Sequence, residues 1–132
     1  MTDHYHAVIW IDHREARVFH FNATQADEHV VHPHDPTVHI HHHANSIGSG
    51  HAQEDHKFLH QVAAAVANSK AILIAGPANA KHELMKHLES HDPKIAKCVA
   101  AVEALDHPTN GELLAHARKF FRGADRVTPQ KA

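Results

Sequence analysis

The sequence predicts an α/β domain: a mixed sheet of about five strands, an antiparallel three-strand meander followed by two parallel strands, carrying three helices. Three observations lead there. Two short apolar runs near the start are separated only by the polar break Asp12-His13-Arg14-Glu15, as in a hairpin. A third run, Ala71 to Ala75, is apolar throughout and closed by Gly76-Pro77, the pattern of a strand buried on both faces. Between and after these runs, apolar residues recur at three- and four-residue spacing, the period of a helix with one buried face.

The elements follow in order. His6-Ala7-Val8-Ile9-Trp10-Ile11 is rich in β-branched residues and reads as a buried strand. Ala16 to Phe21 alternates and forms its hairpin partner. Glu28 to His32 is a third strand, which Pro33 and Pro36 end or confine to an edge. From Gln53 to Asn68, Phe58, Leu59, Val62 and Val66 give a helical stripe. Gly76-Pro77 ends the next strand and opens a second helix with Pro in its first turn and Leu84, Met85 and Leu88 inside. Asp92-Pro93 stops that helix. Lys97 to Val102 is read as a strand, because a strand–helix unit calls for a parallel partner. Thr109-Asn110-Gly111-Glu112 is a capping box, opening a last helix with Leu113, Leu114, Ala117, Phe120 and Phe121 inward. A single domain over residues 1–122 and a polar tail over 123–132 complete the reading. Three strands, helix, strand, helix, strand, helix is the ribonuclease H-like order.

Composition narrows the function classes. At 132 residues the chain makes one domain, able to bury a core without disulfides, and Cys98 is its sole cysteine. Met1-Thr2-Asp3-His4 opens no signal peptide, and no apolar stretch approaches the roughly 20 residues that span a bilayer, so a cytoplasmic protein without a membrane partner is expected. Lysine plus arginine number 13 against 15 aspartate plus glutamate, which argues against a strongly basic, sequence-blind nucleic-acid binder at neutral pH, and no DNA partner is expected. Histidine is the anomaly: 19 copies, ten of them between His29 and His60. Imidazoles titrate near pH ~6.5, so mild acid turns a slightly negative surface positive. Metal ions, protons and RNA phosphates all suit such a surface.

The densest histidine segment, about 32–56, is read as a long exposed loop, with Ser46-Ile47-Gly48-Ser49-Gly50 as a flexible turn. The extended pattern Val38 to His43 places His39, His41 and His43 on one face, and it is an edge that can pair between two copies in a homodimer. His56 and His60 lie four apart on the predicted helix and share a face. Together these histidines can make a tetrahedral Zn²⁺ site, or a Ni²⁺ or Cu²⁺ site, with His51 or Asp55 nearby. The simpler reading is a solvated loop that holds metal adventitiously, since no cysteine pair or His-Glu-x-x-His sharpens the pattern.

Several segments are similar to the middle domain of the archaeo-eukaryotic release factors and Pelota. Val8-Ile9-Trp10-Ile11-Asp12 with Ala16-Arg17-Val18-Phe19 resembles the opening hairpin, and Asp55-His56-Lys57-Phe58 through Val62-Ala63 the long helix. Ala71-Ile72-Leu73-Ile74-Ala75-Gly76-Pro77-Ala78 with Lys81 and Glu83-Leu84 resembles the strand–glycine–helix segment, and Asn110-Gly111-Glu112-Leu113-Leu114 the start of the closing helix. The likeness covers about His6 to Phe121 and extends to small bacterial proteins described as translational machinery proteins. It implies a link to ribosomes or tRNA. Release factors carry Gly-Gly-Gln before the long helix to direct water at the peptidyl-tRNA ester. Here that stretch reads Ala44-Asn45-Ser46-Ile47-Gly48-Ser49-Gly50-His51 and the motif is absent, as it is in Pelota. Nor does the sequence resemble the flanking domains, including the one that inspects the codon. The implied role is therefore association with the translation machinery rather than termination.

Phosphate contact is expected from His51 and Lys57, and from the turn Gly76-Pro77-Ala78-Asn79 with Lys81, where a helix amino terminus exposes N–H groups. A plain strand-to-helix connection that needs glycine for its geometry is the commoner explanation of such a turn. No enzyme is predicted. Asp12 has the place of a ribonuclease H carboxylate but Ala71 to Ala75 supplies no second acid, so a turn aspartate is the simpler reading. Cys98 is expected to be a buried, inert thiol. The basic residues Lys119, Arg122, Arg126 and Lys131 either touch RNA or complement the last helix's dipole.

Overall fold

The computed structural model describes residues 6–22, 24–32 and 49–127, the last segment with side chains from His56 to Arg122. Five strands form one mixed sheet in the order β3-β2-β1-β4-β5. They are β1 (His6–Ile11), β2 (Ala16–Phe21), β3 (Ala26–Val31), β4 (Ala71–Gly76) and β5 (Val99–Ala104). β1 pairs antiparallel with β2 and parallel with β4, and β2 pairs antiparallel with β3. This is the expected meander followed by two parallel strands. The helices are α1 (Ser49–Ala65), α2 (Ala80–His91), α3 (Pro93–Ala96) and α4 (Asn110–Val127).

The alternation of side chains along each strand sorts the core into two layers. Ala7, Ile9, Ile11, Ala16, Val18, Ile72 and Ile74 face α1 and α2, where Phe58, Val62, Val66, Leu84 and Leu88 meet them. Val8, Trp10, Phe19, Phe21, Leu73 and Ala75 face α4 and its Leu113, Ala117 and Phe121. β1 and β4 are therefore buried on both sides, which explains why they are unbroken apolar runs. β3 forms one edge and is exposed over most of its length.

Some boundaries differ from the sequence expectation. α1 begins at Ser49, four residues before the expected start at Gln53, so residues 49–52, expected as loop, are helical. Ser49 and Gly50 are weak helix formers in isolation, but the apolar stripe behind them docks on the sheet and tertiary packing overrides propensity. α2 starts at Ala80, so Pro77 stands in the connection and not in the first turn. Pro93 stops α2 but opens one helix more than the three expected, the short turn α3, as proline does at the first helical position. That turn displaces β5 to Val99–Ala104 from the expected 97–102. α4 runs to Val127, into the expected tail. The capping box is present: Thr109 Oγ1 accepts from the Glu112 N–H at 3.1 Å, and the Thr109 N–H donates to Glu112 Oε1 at 2.9 Å. Among the described residues, no helix is long and apolar enough to cross a membrane.

Candidate functional site

The sequence places a histidine where α2 needs an apolar residue. Its inward stripe is Ala80, Leu84, His87 and Leu88, and His87 is only 6% exposed. One turn on, His91 lies at the surface, and Asp92 caps the helix. α1 packs beside α2 on the same face of the sheet and brings His56 and His60, again four residues apart. The rings meet. His56 and His87 centroids are 4.9 Å apart, His56 and His91 4.9 Å, His87 and His91 4.7 Å, and His60 and His87 6.2 Å.

Two triads of donor atoms result, joined at His87. The donors of His56, His87 and His91 all lie within 4.8 Å of one another, as do those of His60, His87 and Asp92. His87 Nε2 and Asp92 Oδ2 are both buried and lack a hydrogen-bond partner. Burial is the main cause that pushes the His87 imidazole below its ordinary value of 6.5, reinforced by His91, His56 and His60 and opposed by Asp92. His87 is thus neutral at pH 7, with a lone pair to offer. Chemically the cluster can hold a late transition-metal cation, since neutral imidazole is a favoured ligand for such ions.

The depressed His87 value has a consequence for stability. The unfolded chain takes up the proton at a higher pH than the folded one, so the contribution of neutral His87 is complete above about pH 6.5 and is lost as pH falls through the window below it. Urea unfolding of chelator-washed protein at pH 7.5 and pH 5.5 is expected to show a smaller acid loss in His87→Leu than in the parent chain. Equal losses would contradict this account of His87.

The other expected site residues are placed as follows. His39, His41 and His43 lie outside the described residues, as does the proposed pairing edge Val38 to His43. His51 falls in the first turn of α1, and Lys57 is exposed on the same helix. Gly76 ends β4 and its carbonyl accepts from the Leu105 N–H at 2.9 Å. A β-carbon there would stand 2.2 Å from the Ile11 carbonyl oxygen, so close strand packing requires glycine at this position. Asn79 is exposed and donates from Nδ2 to Glu83 Oε2 at 3.2 Å. Lys81 is 7% exposed, and its ammonium donates to the Ala78 carbonyl. Among the described residues, no hydrogen bond or ion pair links Lys57 with Asn79 or Lys81.

The remaining candidates resolve simply. Asp12 Oδ1 accepts the backbone N–H groups of Arg14 and Glu15 at 2.8 and 2.9 Å, the geometry of a turn aspartate. Cys98 is half-buried rather than buried, because β5 is a sheet edge and the preceding α3 covers it only in part. The sequence reading missed His87, His91 and Asp92. Their signal was the same four-residue histidine spacing that marks His56 and His60.

Comparison with known structures locates the fold. A Pelota structure from Archaeoglobus fulgidus matches 86% of the chain with a TM-score of 0.60 at 15% identity. An archaeal translation termination factor matches 96% with a TM-score of 0.59 at 13% identity. Pelota from Thermoplasma acidophilum matches 83% with a TM-score of 0.55 at 17% identity. The chain spans only 30%, 39% and 30% of those proteins, a share that fits a single middle domain. No family model and no curated protein sequence matches it.

Proposed function

We propose that this chain, which folds as a Pelota- and release-factor-like domain, is a non-enzymatic translation-associated factor that binds the ribosome or tRNA. The observation that carries the reading is the fold itself, matched over 83–96% of the chain by Pelota and an archaeal translation termination factor. The absence of Gly-Gly-Gln from the sequence favours binding without ester hydrolysis.

The contact surface in this reading is the segment from His39 to His56 together with the face of α1 that follows it. His51 and the exposed Lys57 meet phosphate there, and the Gly76–Asn79 turn with Lys81 adds backbone and ammonium donors. Lys57 carries the larger share of the two lysines. Lys81 must first leave the Ala78 carbonyl and its buried position, whereas Lys57 already faces solvent. Phosphate contacts release counterions, so binding weakens steadily with salt. Sedimentation of untagged protein with ribosomes over a salt series tests this. The co-migrating share is expected to fall as salt rises and to be smaller for Lys57→Ala at each concentration. A share indifferent to both would remove phosphate contact as the mechanism.

A further inference from the structure

We propose that α1 and α2 hold one late first-row divalent cation, of the zinc or nickel class, between His56, His87 and His91. The site shares His56 with the ligands expected from the sequence but takes its other two from α2, and metal binding there can be read without any contact with ribosomes.

Convergence is the first argument. The three donor nitrogens come from two helices and already lie within 4.8 Å of one another. Zn–N bonds of about 2.0–2.1 Å on a tetrahedral ion place two ligands roughly 3.4 Å apart. His56 and His91 are surface side chains, so rotation of their rings closes the triad without moving a helix.

The second argument is the orphaned atom. His87 Nε2 is buried and makes no hydrogen bond. A buried polar group left without a partner costs about 1–3 kcal/mol, and leucine at this position of the inward stripe of α2 would avoid that cost. A coordinated cation supplies the missing partner.

The third is the flank. His60 and Asp92 lie on the other side of His87, with their donors within 4.8 Å of its own, and Asp92 Oδ2 is likewise buried and unpartnered. A carboxylate beside a ligand histidine either takes a further coordination position or receives the N–H of the ring, which fixes the ring's orientation. The three nitrogen ligands select against magnesium and calcium, which prefer oxygen. Simple ring packing accounts for the edge-to-face contacts of His56 with His87 and His91, but not for two buried polar atoms left without partners.

Calorimetric titration of untagged, chelator-washed full-length protein with ZnCl₂ tests the site, with thermal unfolding followed in parallel. One tight site per chain is expected, retained when His39, His41, His42 and His43 are all changed to Ala. His56→Ala and His91→Ala, both at exposed positions, are expected to weaken it at least ~100-fold, since even residues that only support a ligand account for 10–100-fold. Zinc is expected to raise the Tm of the parent and the fourfold variant, because an ion across two packed helices stabilises the folded state by mass action. It should leave the Tm of the two single variants unmoved, while their metal-free Tm stays at the parent value. Loss of the site in the fourfold variant, its survival in both single variants, or no tight site at all would each overturn the proposal.

Discussion

Gly76→Ala is expected to lower the free energy of unfolding by about 3 kcal/mol or more, at the upper end of what overpacking costs. The added methyl would sit 2.2 Å from the Ile11 carbonyl oxygen, a backbone atom that cannot swing aside. β1 is the central strand and β4 its parallel neighbour, and Gly76 also accepts the Leu105 N–H that begins the β5–α4 connection. Any shift that relieves the clash therefore disturbs the pairing of the whole sheet. A Gly-to-Ala change also stiffens the unfolded chain, which favours folding by about 0.4–1 kcal/mol, but that gain is smaller than the clash. Urea denaturation reads the balance. A change within about 0.5 kcal/mol, typical of a neutral surface substitution, would show that the strands have room to part.

Trp10→Ala is expected to cost about 3–5 kcal/mol, the range for removing a large buried aromatic. Trp10 is 1% exposed in the core layer under α4. Its indole N–H donates to the carbonyls of Leu105 and Asp106, at 3.1 and 2.7 Å. The Arg17 guanidinium lies 4.5 Å above the ring, and it also donates to Asn110 Oδ1 and the Pro108 carbonyl. One side chain thus ties β1 to the connection that launches α4. Trp10→Phe separates the contributions: it keeps most of the apolar bulk and removes the donor, so it is expected to fall between the parent and Trp10→Ala in the same assay. If Trp10→Ala lost less than about 1 kcal/mol, well below that range, the connection would be held by other contacts.

The parts of the fold that were legible in the sequence are those whose burial is symmetric or whose signal is local. β1 and β4 are enclosed on both faces, so their residues are uniformly apolar and their limits plain. The α4 capping box needs only four consecutive residues. The start of α1 was hidden, because Ser49 and Gly50 favour a turn and only the docking of Phe58 and Val62 makes the helix extend back through them. Gly76 was legible as a strand end, but its essential contact is with Ile11, which lies 65 residues away in sequence and is adjacent only after β1 and β4 pair. Lys81 lies in the first turn of α2 and its ammonium turns back to the Ala78 carbonyl three residues earlier, but its burial comes only from the way the helix docks. The histidine cluster shows the same division. The four-residue spacings are in the sequence, but the partnership of His56 with His87 and His91 depends on two helices lying side by side.

The central claim is that this domain works with the translation machinery, and sedimentation of the untagged protein with ribosomes through a sucrose gradient tests it most directly. Run at low salt, with and without chelator, the protein is expected in the ribosomal fractions both times, since phosphate contact through His51 and Lys57 needs no metal. Recovery at the top of the gradient in both runs would contradict the claim and leave the Pelota-like fold as shared architecture alone.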